Sequence, residues 1–107
     1  MRIATWNVNS LPVRLAQVLD WLKQESIDVL LVQETKVTDD KFPVEAIEAA
    51  GYHVVFSGQK TYNGVAILAK QPINDVEMGF ADWDDPQKRM IAVTIEGYRF
   101  VNVYVPN

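Results

Sequence analysis

Ile3-Ala4-Thr5-Trp6-Asn7-Val8-Asn9-Ser10-Leu11-Pro12 and, further on, Val29-Leu30-Leu31-Val32-Gln33-Glu34 decide how the chain folds. Ile3 to Trp6 reads as a buried strand. Ser10 with Pro12 just behind it is an N-cap and first-turn signal, since proline suits the first helical turn and serine the cap. Leu15, Val18, Leu19 and Leu22 then fall at the i, i+3, i+4, i+7 spacing of one helical face up to about Glu25. Val29 to Val32 is an apolar run too short for a helix and β-branched at both ends. Strand, helix, strand predicts a parallel pair, by the right-handed crossover rule.

Beyond it the spacing predicts a short helix from Pro43 to about Ala50, with Val44 and Ile47 facing inward and Gly51 ending it. The pattern then changes to short runs: Tyr52 to Phe56, Val65 to Ala69, Val76 to Phe80, Met90 to Ile95 and Tyr98 to Val105. Turn residues separate them, among them Asn63-Gly64, Gln71-Pro72 and Glu96-Gly97. We therefore expect antiparallel hairpins joined to the parallel pair in one mixed α/β sheet, with the helices on one face. Val65 and Ile67 alternate with Ala66 and Leu68, and Val101, Val103 and Val105 with Phe100 and Tyr104. Strands apolar on both faces need cover on both, so something beyond these segments is expected to cover the second face.

At 107 residues with 49% hydrophobic and 22% charged side chains, the composition is that of one globular domain rather than a disordered segment. Zero cysteines exclude a disulfide framework and a thiolate zinc site, and agree with a reducing, cytoplasmic setting. The strand-like Met1-Arg2-Ile3-Ala4 start is not a signal segment, and no apolar run is long enough to cross a bilayer. The net charge of −4 resists a nucleic-acid reading, because proteins that hold phosphate backbones are usually basic. The acids, however, gather at Asp39-Asp40 and Asp82–Asp85, while Lys36, Lys60, Lys88 and Arg89 lie in or beside the segments taken up below. A local basic rim on an acidic body is compatible with that distribution.

Asn7 ends the first strand and Glu34 follows the second. In an open α/β sheet, ligands gather outside the carboxyl ends of the parallel strands, so the two side chains should be neighbours. A carboxylate beside an amide oxygen suits a hard divalent cation that keeps several waters, such as magnesium. By position alone the pair reads equally as a turn residue and a solvated strand-end charge.

Four segments narrow the choice. Thr5-Trp6-Asn7-Val8-Asn9-Ser10-Leu11, Leu31-Val32-Gln33-Glu34-Thr35-Lys36, the run from Gly58 to Leu68 and Val101-Asn102-Val103-Tyr104-Val105-Pro106-Asn107 resemble, in order, signature segments of the exonuclease III and abasic-site endonuclease family. The resemblance implies the endonuclease/exonuclease/phosphatase fold, a four-layered α/β sandwich of two packed sheets, of which residues 1–107 would be the N-terminal half. It implies a DNA-repair phosphodiesterase, acting as an endonuclease at abasic sites and as a 3′-5′ exonuclease. The cofactor would be Mg²⁺, with Mn²⁺ as substitute, and the partner double-stranded DNA bearing abasic sites or 3′ ends. Glu34 would bind the metal with Asn7 beside it, and Tyr104 would be the active-site tyrosine at the scissile phosphate. Lys36, Lys60, Tyr62, Asn63, Arg89 and Asn107 would contact DNA. A phenol can donate a hydrogen bond to a developing phosphorane oxygen.

The chain departs from the pattern in two places: some relatives carry an acid where Asn9 stands, and a basic residue where Pro12 stands. The family's catalytic set also continues, past the tyrosine, with an Asp–Asn pair, another asparagine and an Asp–His pair. None of these falls within the 107 residues, and His53 sits in a strand far from the family's histidine position. The chain alone is therefore expected to be inactive and to self-associate through its uncovered sheet face. The alternatives are another phosphoesterase of the superfamily, against which Gln33-Glu34-Thr35-Lys36 argues, and a non-catalytic self-associating module.

Overall fold

The parallel pair forms as expected, but its first strand is a half-exposed edge strand rather than a buried one, because among the described residues it has a neighbour on one side only. In the computed structural model, which describes residues 1–58, 63–79 and 89–105, β1 (Ile3–Asn7) lies beside β2 (Val29–Gln33), from Ile3 opposite Val29 to Asn7 opposite Gln33. Between them runs α1 (Leu11–Glu25), which buries Leu11, Val18 and Leu22, the helical face that the spacing marks. Trp6 meets Trp21 edge-on at 5.4 Å between ring centroids, pinning the strand to the helix. α1 ends where Ser26 takes a left-handed conformation and its N–H bonds to the Leu22 carbonyl, a common helix stop. The short second helix, α2 (Val44–Ala49), buries Ile47 and ends before Gly51, whose φ is +93°.

β3 (His53–Ser57) and β4 (Val65–Ala69) complete a four-stranded sheet in the order β1-β2-β4-β3, with β4 antiparallel to both neighbours. This is the expected mixed sheet with helices on one face. The later runs do not join it. β5 (Asn74–Met78), β6 (Met90–Ile95) and β7 (Tyr98–Val103) form a separate antiparallel sheet. Gln71-Pro72 is therefore a crossing between sheets rather than a hairpin turn, whereas Glu96-Gly97, with φ of 50° and 81°, is the tight turn joining β6 to β7.

This placement corrects the expectation that nothing in these segments covers the second face of the mixed sheet. One core lies between that sheet and the helices, built on Leu11, Val18, Leu22, Leu30, Val32 and Leu68. A second lies between the two sheets, where Val29, Val65, Ile67 and Ala69 meet Ile91, Val93, Ile95 and Phe100. β4 is buried along its whole length because it has a layer on each side, which is why both of its faces are apolar. Apolar surface is left open instead on β7, β1 and β5: Val101 is 53% exposed, Ile3 53% and Met78 52%. Among the described residues no helix is long and apolar enough to cross a membrane.

Candidate active site

The loops at the carboxyl ends of β1 and β2 are stitched together by backbone hydrogen bonds. Val8 N–H donates to the Gln33 carbonyl (3.1 Å), Ser10 N–H to Glu34 (2.8 Å) and Leu11 N–H to Thr35 (2.9 Å). Ser10 thus stands at the N-cap position without capping: its side chain makes no cap bond, its φ is 90° rather than extended, and Pro12 in the first turn has no N–H to offer it. From the other side, Thr35 N–H reaches Gly64 (3.2 Å) and Lys36 N–H reaches Asn63 (3.0 Å).

These bonds hold an unusual backbone. Asn9, Ser10, Glu34, Lys36 and Asn63 all have positive φ, a region that costs side-chain-bearing residues of order 1–3 kcal/mol each and concentrates at functional sites. Gly64 has φ of +92°, and a Cβ there would run into the Thr35 hydroxyl; only glycine fits on both counts. Thr35 Oγ1 itself is buried without a hydrogen-bond partner among the described residues.

Glu34 and Tyr104 meet across the sheets. Tyr104 follows β7, its N–H bonded to the Arg89 carbonyl at 2.8 Å, and its hydroxyl donates to Glu34 Oε1 at 2.7 Å. That hydrogen bond, with burial and the carboxylate charge adding to it, raises the Tyr104 pKa above the ordinary phenol value, because each favours the neutral, donating form. Asn7 stands opposite Gln33, one residue before Glu34. Its Oδ1 accepts from Asn9 N–H at 3.2 Å, and Asn9 Oδ1 in turn accepts from the Lys36 ammonium at 2.6 Å. Asn7, Glu34, Tyr104, Lys36, Asn63 and Arg89 therefore lie at one end of the sandwich. Lys60, Tyr62 and Asn107 lie outside the described residues. His53 pairs with Ala69, at the opposite end of the sheet from Glu34.

The site offers oxygen donors to a cation: the Glu34 carboxylate and the Asn7 amide oxygen. One or two protein oxygens completed by water and substrate phosphate suit magnesium, and no cysteine competes for a softer metal. Among the described residues there is no group of three or more His, Cys, Asp or Glu side chains that could cage a metal on their own. A surface hollow of about 500 Å³ lined by Leu19, Lys23, Ala50, Tyr52 and Lys70 lies at the far end, where Lys70 N–H bonds to the Asp28 carbonyl just before β2, and has no part in this geometry.

Two residues inside the quoted segments, Asn102 and Gln33, take a part in the site region that the segments alone do not assign. Asn102 is 1% exposed; its Nδ2 donates to the carbonyls of Val32 (2.9 Å) and Ala66 (2.8 Å), and its Oδ1 accepts from Gln33 Nε2 (2.8 Å). Gln33 Nε2 also donates to Thr5 Oγ1 at 2.8 Å. The signal for both was present: each is an amide inside an otherwise aliphatic strand run, where burial demands partners.

Residues 4–106 match the Endonuclease/Exonuclease/phosphatase family. Exodeoxyribonuclease III of Haemophilus influenzae is 40% identical over 97 residues, which are 90% of this chain and 36% of that protein. Among solved structures, the 3′ phosphatase NExo from Neisseria bound to a product DNA hairpin superposes with a TM-score of 0.94 at 52% identity, covering 97% of this chain and 41% of that one. An AP endonuclease from Archaeoglobus fulgidus superposes at 0.93 with 46% identity, covering 99% and 42%. The chain thus spans well under half the length of these relatives. With matching segments across nearly its whole length and the same fold, the chain belongs to the Endonuclease/Exonuclease/phosphatase family.

Proposed function

We propose that this chain carries one side of the active site of a DNA-repair phosphodiesterase of the exonuclease III type, an AP endonuclease and 3′-5′ exonuclease dependent on Mg²⁺, with Mn²⁺ as substitute. The observation that carries the reading is the Tyr104 hydroxyl on the Glu34 carboxylate, at the sheet end where Asn7 also stands. Relatives that cover the chain are named for action on DNA, and one was solved with a DNA hairpin.

In this reading Glu34 and Asn7 hold the metal, which when bound supplies positive charge to polarise a phosphate and to acidify water. Tyr104 steadies the scissile phosphate. Its hydroxyl has a single proton to donate, so donation to a phosphate oxygen requires it to leave Glu34. Lys36, Asn63 and Arg89, with Lys60, Tyr62 and Asn107, contact the backbone of a duplex carrying an abasic site or a 3′ end. Lysine and arginine near the phosphates offset the chain's negative charge locally. An enzyme of chromosomal DNA with bacterial relatives works in the cytoplasm.

The chain is the N-terminal part of one such catalytic domain, and activity needs groups from outside these 107 residues. A single carboxylate cannot hold the metal, orient water and protonate a leaving group together. By itself the chain self-associates with a second copy through the open apolar surface of β7, not through the mixed-sheet face that β5–β7 cover.

The test is incubation with an abasic-site duplex and Mg²⁺. The 107-residue chain should leave the duplex intact. The same chain extended to the length of its relatives should cleave it, and Glu34→Ala should lower that cleavage by ~10²-fold or more, the scale of losing one transition-state contact. Robust cleavage by the short chain, or an extended Glu34→Ala protein that cleaves at the unmodified rate, would refute the assignment.

A further inference from the structure

Among the described residues the two sheets are joined by no β-ladder, and the faces that meet are apolar: Val29, Val65, Ile67 and Ala69 against Ile91, Val93, Ile95 and Phe100. Apolar packing is non-directional. Such faces tolerate a shift of one sheet along the other at modest cost, and the site cannot, since Glu34 and Tyr104 come from different sheets and meet at 2.7 Å. Into this interface β7 inserts one amide. Asn102 spends both of its N–H protons on β2 and β4, at the Val32 and Ala66 carbonyls, and its oxygen on Gln33. Three directional bonds thus tie a single β7 residue to two strands of the other sheet. They sit one residue before Glu34 on β2 and two residues before Tyr104. Gln33 extends the tie to the edge strand through Thr5.

We propose that Asn102 and Gln33 form the register lock between the two sheets, a positioning pair that sets Tyr104 on Glu34. The significance of that contact for catalysis rests on the function proposed above; the lock itself does not. A buried polar residue fixing register is the best-attested use of buried polarity, and here the register is that of one sheet on another.

The experiment is carbon NMR of the 107-residue chain labelled at the tyrosine ζ-carbon, which reports hydrogen bonding of each hydroxyl. The four tyrosines include an internal standard: Tyr52 donates to the Ile27 carbonyl at 2.5 Å, at the opposite end of the sheet. With Tyr104 assigned from Tyr104→Phe, Asn102→Leu should move its signal to the position of an exposed phenol such as Tyr98, which is 67% exposed, while Tyr52 stays in place. Gln33→Met, at a half-buried position, removes one of the three bonds and should give a smaller shift of the same sign. An unmoved Tyr104 signal in a folded variant overturns the proposal. So does a joint shift of Tyr104 and Tyr52, or loss of folding in both variants, since either makes the pair a general determinant of stability. Neither metal nor DNA enters the measurement, so a failure of the phosphodiesterase assignment leaves its outcome intact.

Discussion

Tyr104 carries one hydroxyl proton, and in this structure it goes to the Glu34 carboxylate. The contact raises the Tyr104 pKa above the ordinary phenol value of about 10. The sign follows by linkage: folding holds the phenol proton more tightly than the unfolded chain does. The stabilisation is complete below the unfolded-state pKa and is lost as pH rises through the higher folded value. Alkaline difference titration against Tyr104→Phe should show a phenol ionising above the ordinary value, and Glu34→Gln should bring it down. A Tyr104 midpoint at the ordinary value would show that the bond is not made in solution. At this scale the sequence was only partly legible. Asn7, Glu34 and Tyr104 could be named because they end strands inside recognisable segments. Gln33 and Asn102 lie in the same segments, and an amide within an aliphatic run marks them as unusual, but their partners, far away in the chain, cannot be read from the run itself.

The elements were more legible, since periodicity is local. α1 follows the 3.6-residue spacing of Leu15, Val18, Leu19 and Leu22, and β4 and β6 have the bounds their apolar runs suggest. Alternation tells which face a side chain takes but not which sheet its strand joins, so β5–β7 could not be separated from the mixed sheet beforehand. The turn chemistry misled at Gln71-Pro72 for the same reason: a proline turn marks a break without saying where the chain goes next. Ser10 misled differently: the loop after β2 draws the Ser10 and Leu11 N–H groups to its carbonyls, and Ser10 itself takes φ of 90°, outside the extended conformation a capping side chain needs. At Gly64 the loops can be tested directly. Gly64→Ala forces an L side chain to positive φ and drives its Cβ onto Thr35, and should destabilise by ~1–3 kcal/mol in urea unfolding. A change within the measurement error would mean that the loop relaxes and the left-handed cluster is not held.

For the whole molecule, the second sheet closes one apolar face and opens another. Val101 and Val103 alternate with the buried Phe100 and Asn102 along β7, and beside them Arg99 pairs with Glu77 at 3.1 Å. Each aliphatic side chain removed from water contributes roughly 1.5–3 kcal/mol, and an exposed apolar patch commonly marks an interface. Sedimentation over a concentration series should show reversible growth toward a dimer that Val101→Lys suppresses; a monomer at every concentration would remove the self-association proposal. The proposed divalent-metal site of Asn7 and Glu34 beside Tyr104 can be probed by Mn²⁺ titration of the isotope-labelled chain. Paramagnetic broadening of amides should centre on Asn7, Glu34 and Tyr104, and Glu34→Ala should abolish it. Broadening centred instead on Asp39 and Asp40, or unchanged by Glu34→Ala, would contradict it.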